Sequence, residues 1–186
     1  MLIRMRLLPA LVLPVALTLT ARAQTDAMPP EHNASAPHTH TMGAPSTSLT
    51  VATGIGQPLT PHLADLRALP QQTITVHNAH SNADETYTGP LLSDVLALGG
   101  VTLTDKTEHP MLHQYLIATG TDKYWVLYSL GEVHPGLHNA KVIVAIARAG
   151  QPLTTAGQFE LIDNIDVKPA RWVHNLTSLT LHTPTE

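Results

Sequence analysis

The chain of 186 residues contains no cysteine, which excludes disulfide bonds, thiolate metal ligands and a cysteine nucleophile together. Aromatic residues are scarce, with two Trp, four Tyr and one Phe, so a Trp outside an apolar run is conspicuous. No apolar run after residue 23 reaches the roughly 20 residues that a membrane-spanning helix needs. The hydrolase motifs Gly-x-Ser-x-Gly and His-Glu-x-x-His and a phosphate-binding loop are missing, so nothing indicates hydrolase chemistry.

The first 23 residues have the pattern of an export signal. Arg4 and Arg6 form a basic start, an apolar segment covers residues 7–19, and residues 21–23 (Ala-Arg-Ala) supply a small-x-small cleavage site. We therefore expect 1–23 to be a signal peptide and the mature protein to reside in a periplasm or outside the cell.

The charge of the chain disfavours nucleic acid as a partner. Segment 1–23 carries three arginines and no acid, so its removal leaves seven basic residues against 14 acidic ones, a net charge of −7. Nucleic acid and anionic membrane surfaces repel such a protein, and we expect neither as a partner.

The remaining chain divides into a linker and one domain. Segment 24–48 is rich in His, Pro, Ser and Thr without apolar periodicity, which predicts a disordered linker. Over 49–186, Pro and Gly separate β-rich segments from two helices, one running from Thr60-Pro61 to Leu69 and one over 90–98. Gly99-Gly100 is the expected end of the second helix. The sum is a single α+β domain, strand-rich with short helices.

Five segments are rich in residues that favour strands, and the last of them is near the end of the domain. They cover residues 73–76, 114–119, 124–130, 142–147 and 172–181. The leucines of the last segment do not alternate strictly, which predicts a bulge or kink there.

The pair Arg171-Trp172 is the most conspicuous candidate site. An indole stacks on a flat polar ring, and a guanidinium forks onto heteroatoms or phosphate. Packing of Trp172 in the core, with Arg171 reaching to solvent, explains the pair equally well. Neighbours in a regular strand point to opposite faces, so both serve one ligand only if Pro169-Ala170 keeps the backbone irregular.

Four motifs follow one another in an order typical of a known family. They are residues 87–96 before the double glycine, residues 115–132, residues 149–153 with Gly157, and Arg171-Trp172-Val173 before the last strand. Together they resemble the oxidoreductase molybdopterin-binding domain over roughly residues 65–181. The resemblance implies a single sulfite-oxidase-like, molybdopterin-binding-type domain.

Two departures from that family argue against its molybdenum cofactor. The family's metal-ligating cysteine corresponds to a stretch with His77 and His80, and imidazole does not replace a soft thiolate at a metal held by sulfur. The family's Gly-Pro-x-Arg, whose Arg holds phosphate, is Gly157-Gln158-Phe159-Glu160 here. A carboxylate at that position disfavours a phosphorylated cofactor.

A short, exported, cysteine-free version of this domain resembles the bacterial periplasmic pterin-binding proteins. That resemblance implies a non-catalytic protein that binds a free reduced pterin and acts on a membrane receptor such as a diguanylate cyclase sensor domain. Trp172 would supply a stacking wall, and Asp122 or Glu132 would accept from the amino-pyrimidine N–H groups. The remaining candidates for the ligand site are Arg171, Tyr124, His77 and His80.

Each candidate also has a structural explanation, and two other functions stay open. Asp122 suits a hairpin turn, Glu132 a helix cap or salt bridge, and Tyr124 the core. The second function is a molybdopterin oxidoreductase with a non-cysteine metal site. The third is a His-rich copper or zinc protein whose linker binds metal through His38 and His40, with a plain polar linker as its alternative.

Overall fold

The structure is a computed structural model that describes residues 43–104, 106, 108–155 and 157–185. The predicted signal peptide, most of the predicted linker, and with it His38 and His40, lie outside these residues. The described residues belong to one compact unit that spans His40–Glu186. Among them, no helix is both long and apolar enough to cross a membrane.

In the described part of the chain, ten strands form three sheets. The first sheet has the order β1-β10-β4-β5, with β1 parallel to β10 and the other pairs antiparallel; its strands are β1 (Thr50–Ala52), β10 (Leu176–His182), β4 (Tyr115–Gly120) and β5 (Trp125–Ser129). The second is antiparallel, in the order β2 (Gln71–Asn78), β3 (Ala83–Pro90), β7 (Ala147–Arg148) and β8 (Gln151–Pro152). The third pairs β6 (Val142–Ala145) with β9 (Glu160–Asp163), and every residue in it is buried.

The helices are short and lie between the strands. They are α1 (Leu63–Ala68), α2 (Leu92–Leu98), α3 (Glu108–Met111), α4 (Leu130–Val133) and a 3-10 helix at Pro169–Arg171. The first helix starts later than Thr60-Pro61 predicts, because His62 is its N-cap and donates its backbone N–H to the Asp65 carboxylate at 2.7 Å. The end of α2 is confirmed: Gly99 caps it, and Gly100 has φ +86°, which suits glycine.

The strands predicted at 73–76, 114–119 and 124–130 correspond to β2, β4 and β5, whereas 142–147 divides between β6 and β7, and β1, β3, β8 and β9 were not predicted. The sequence did not predict β3, because Ala83, Asp84 and Glu85 have low strand propensity, yet it pairs with β2 over its full length. The last strand begins at Leu176 rather than residue 172, since a 3-10 helix and Asn175 with φ +52° precede it. Its bulge is confirmed by a register shift between Leu176 and Ser178.

Two apolar clusters fill the interior. The larger contains Tyr128, Phe159 and mostly aliphatic residues beneath the first sheet. The smaller lies against the second and third sheets and contains Ile74, Val76, Tyr87, Ile143, Ala145, Ile162 and Trp172. Tyr87 and Trp172 meet edge to face with their ring centroids 5.9 Å apart, a favourable aromatic geometry. Trp172 is therefore a core residue of the smaller cluster.

Packing against the domain begins before Leu49. Ser46 is buried, its N–H donates to Asn175 Oδ1 at 3.3 Å, and its carbonyl accepts the Gln158 N–H at 2.9 Å. These contacts bring the start of the described chain beside the segment that precedes β10.

Candidate functional site

A cavity of about 330 Å³ opens where three irregular segments meet. The segments are the β2–β3 turn with the end of β2, the β4–β5 turn and the chain from the 3-10 helix to β10, and Gly43 adds to the lining. Its lining residues are Gly43, Asn78, His80, Asp122, Tyr124, Pro169, Ala170, Trp172, His174 and Asn175. Pockets for small ligands run from about 300 to about 1,000 Å³, so this cavity suits a small molecule.

The backbone at Arg171-Trp172 is irregular, which is what contact of both side chains with one ligand would require. The two side chains nevertheless lie in different surroundings. Pro169 opens the 3-10 helix, and the Trp172 N–H donates back to the Pro169 carbonyl at 3.2 Å. Trp172 then continues in an extended conformation. Trp172 lines the cavity and Arg171 does not.

Trp172 forms part of the cavity wall from a buried position. It is 3% exposed, and its indole N–H donates to the Asp163 carbonyl at 3.3 Å. Only a small part of the ring therefore reaches the cavity surface. Tyr124 is the more exposed ring, and its hydroxyl donates to the Ala170 carbonyl across one side of the cavity.

Arg171 is the centre of an acidic cluster outside the cavity. Its guanidinium contacts Asp166 at 2.7 and 3.0 Å, Glu132 at 2.8 Å and Asp163 at 3.2 Å. It also lies 4.5 Å from the centroid of the Tyr128 ring, in cation–π geometry. The hydrogen bonds to Asp166 and Glu132 raise the pKa of Arg171 above the ordinary value of an arginine. Arg171 thus joins α4, β9 and the loop after β9.

Glu132 joins this cluster and caps α4 at the same time. Its carboxylate accepts from the Ser129 N–H at 2.8 Å, and the Glu132 N–H donates to Ser129 Oγ at 3.3 Å. Burial alone would raise the pKa of Glu132, but hydrogen bonds from Ser129 and Arg171 hold it below the ordinary value. The structure brings Glu132 and Arg171 to each other rather than to the cavity.

Asp122 closes a turn, as the structural explanation from the sequence predicts, and it also lies at the cavity. Its Oδ1 accepts the Tyr124 N–H at 2.9 Å, and Lys123 between them has φ +66°, so it closes the β4–β5 turn. It also lines the cavity and is exposed there. A carboxylate fixed at one oxygen by the turn is a well-oriented acceptor for a ligand.

Of the two histidines near the position of the family's cysteine, only His80 lies at the cavity. His80 lines the cavity, in the turn after β2. His77 does not; its Nδ1 pairs with Asp84 at 2.9 Å, and both side chains are exposed. Asn78, between them, lines the cavity and donates to Glu85 Oε1 at 3.2 Å.

Sequence reasoning missed three polar residues of the cavity: Asn78, His174 and Asn175. Asn175 is buried with φ +52°, and its side chain holds Ser46. His174 Nδ1 lies 3.3 Å from Oε1 of buried Glu160, and this contact raises the pKa of His174 although burial lowers it. The available signal was the polar pair His174-Asn175 between apolar residues, since Asn readily adopts positive φ.

No group of three or more His, Asp or Glu side chains that would hold a metal ion occurs in the described part of the chain. The copper or zinc prediction for His38 and His40 falls outside that part and stays a prediction.

Comparisons with known proteins support the fold. No family model matches the chain, and no curated protein matches it. Among solved structures, the chain is similar to the sulfane dehydrogenase SoxCD from Paracoccus pantotrophus, with a TM-score of 0.57 and 17% identity over 74% of this chain. The likeness covers 38% of the SoxCD chain. The α+β, sulfite-oxidase-like fold predicted from the order of the four motifs is confirmed.

Proposed function

We propose that the protein is an exported, non-catalytic module that binds a free reduced pterin and passes its presence to a membrane receptor, such as a diguanylate cyclase sensor domain. The observation that carries this proposal is the chemistry of the 330 Å³ cavity. It combines two aromatic residues with a carboxylate, two amides and two imidazoles, and no Lys or Arg is among its described lining residues.

These groups suit a pterin without its phosphate and dithiolene. A planar bicyclic ring needs apolar contact, which Tyr124 and the accessible part of Trp172 offer. Its amino-pyrimidine edge needs an acceptor, which Asp122 offers. A phosphorylated cofactor needs cations instead, and the acidic Glu160 stands where the related family has its phosphate-binding Arg.

The proposal has two further parts besides ligand binding: export of the protein and contact with a membrane receptor. The signal pattern in 1–23 supports a periplasmic or secreted protein. Cell fractionation tests the location, and a pterin-dependent complex with the receptor's sensor domain tests the partner. A complex equally strong without pterin would contradict the relay.

The enzyme alternative has one observation in its favour, because SoxCD, a solved structure to which the chain is similar, is a sulfane dehydrogenase. The donor set does not fit a sulfur-held metal, since the chain has no cysteine and His77 is paired with Asp84 outside the cavity. Metal analysis of protein exported from a molybdenum-replete host separates the two functions. Stoichiometric molybdenum would contradict the pterin module.

Pterin binding is expected to quench the fluorescence of Trp172. The only other Trp is Trp125, which is 58% exposed on β5 and does not line the cavity. A Trp125→Phe variant therefore leaves Trp172 as the sole indole, and anaerobic titration with tetrahydrobiopterin should give saturable quenching.

The matched control is Trp172→Phe, which retains Trp125 and should give no site-specific quenching; calorimetry measures binding independently. Absence of calorimetric binding below the millimolar range, in wild-type protein with native circular dichroism, would refute the proposal.

Asp122→Asn is expected to weaken tetrahydrobiopterin binding about tenfold. The amide oxygen still accepts the Tyr124 N–H, so the turn persists while the negative charge facing the ligand is lost. Calorimetric titration measures the change. Asp84→Asn is the control, since Asp84 is exposed and lies outside the lining, and it should bind as wild type. Equal affinity of Asp122→Asn and wild type would remove Asp122 from the site.

A further inference from the structure

A buried acid lies directly behind the cavity. Glu160, in β9, is 1% exposed. Its Oε1 lies 3.3 Å from His174 Nδ1, and its Oε2 has no hydrogen-bond partner among the described residues. A carboxylate in such a place is costly unless a cation or donor pairs with it, and His174 is placed to be that partner.

His174 connects this acid to the cavity. Its side chain is 52% exposed and lines the cavity, whereas Glu160 does not line it. Because Nδ1 faces Glu160, Nε2 is the ring nitrogen left for a ligand. A carboxylate that accepts from Nδ1–H fixes the orientation of the ring and favours its protonated form, in which Nε2 also carries a proton.

We propose that Glu160 orients His174 so that its Nε2–H donates to a carbonyl oxygen of the bound ligand. His174 would then select ligands that carry a hydrogen-bond acceptor next to their N–H donors. Asp122 in the same cavity can accept hydrogen bonds from the N–H donors of the ligand. A pterin carries both a carbonyl acceptor and N–H donors on its pyrimidine ring. The assignment deepens the proposed pterin-binding function and rests on it.

If His174 donates to the ligand, the charges around it should make ligand affinity depend on pH. Glu160 and the more distant Glu85 favour the imidazolium, whereas burial and Arg148 oppose it, and the pKa of His174 lies above the ordinary 6.5. Asp122 and His80 face the same cavity. With Nδ1–H directed to Glu160, only the protonated ring donates from Nε2. Binding should therefore be strong below the pKa of His174 and weaken as the pH rises through it.

Calorimetric titration with tetrahydrobiopterin between about pH 6 and about pH 9 tests the role of the Glu160–His174 pair, because histidine changes its protonation state in this interval. The wild-type Kd should rise about tenfold across this interval. His174→Ala should weaken binding about tenfold at the acid end. His174→Gln keeps a donor without a titrating ring, so its affinity should be restored but independent of pH.

Two further variants isolate the role of Glu160. Glu160→Gln retains the volume and should move the pH midpoint to lower pH. His113→Gln, an exposed residue beyond the other end of β4, should leave the wild-type profile unchanged. If Glu160→Gln does not fold, ¹⁵N NMR of the wild-type imidazoles replaces it, and the His174 Nε2 signal should shift on saturation.

The outcomes separate the two proposals. No binding of tetrahydrobiopterin at any pH refutes the pterin-binding function itself. Binding that is flat in pH and unaffected by His174→Ala, or an Nε2 signal that does not move at saturation, overturns the role of His174 and leaves pterin binding standing.

Discussion

Replacement of Arg171 by alanine is expected to lower the free energy of unfolding by about 3 kcal/mol. Asp163, one of its three carboxylate partners, has a side chain only 2% exposed, and Asp166 and Glu132 lie within 3.0 Å of the guanidinium. Without the cation, these acids repel one another and a buried charge is left without compensation. Urea denaturation followed by circular dichroism measures the loss.

Arg67→Ala is the matched control, because Arg67 is exposed on α1 and makes no ion pair among the described residues. It should change stability by less than about 0.5 kcal/mol. Similar losses for the two variants would show that the cluster around Arg171 contributes no more than a surface charge. A selective loss of pterin affinity with unchanged stability would place Arg171 in the ligand site after all.

Gly157→Ala is expected to destabilise the protein by about 3 kcal/mol, through backbone strain and steric overlap together. Gly157 has φ +76°, and an added Cβ would lie 2.1 Å from Ser46 Oγ, 2.5 Å from Ser46 N and 2.8 Å from Asn175 Oδ1. The Ser46 backbone must move to relieve the overlap. Because Asn175 lines the cavity, pterin affinity should fall as well.

Gly54→Ala separates strain from overlap. Gly54 also has φ +76°, but nothing lies within 4 Å of an added Cβ there. Its cost should be about 1 kcal/mol, the backbone contribution alone. Thermal or urea unfolding of both variants gives the difference. Equal losses would mean that the Ser46–Gly157 contact adjusts without cost.

Features that depend on neighbouring residues were predictable from the sequence. The double glycine ends α2 because Gly100 adopts positive φ at little cost, and Asp122 closes the β4–β5 turn through its own side chain. The bulge in the last strand followed from its leucine spacing. The order of four motifs led to the α+β, sulfite-oxidase-like fold, which the structural likeness confirms.

Features that join distant parts of the chain were not predictable in this way. Asn175 contacts Ser46 across 129 positions, and Arg171 contacts Glu132 across 39. His174 has its role in the cavity only because β9 places Glu160 behind it. No local pattern marks such pairs, since their energies arise from burial and charge after the strands have assembled.

The sequence by itself determined that no thiolate serves this protein, and it predicted the β4–β5 turn, the glycine end of α2 and the fold class correctly. It also marked Arg171-Trp172 as an unusual pair, without deciding between ligand and core. Only the tertiary structure showed where each side chain lies, because the 3-10 helix at Pro169–Arg171 separates them and Trp172 lines the cavity whereas Arg171 does not. Three carboxylates from α4, β9 and the following loop hold the guanidinium, while the indole packs beneath the cavity against Tyr87.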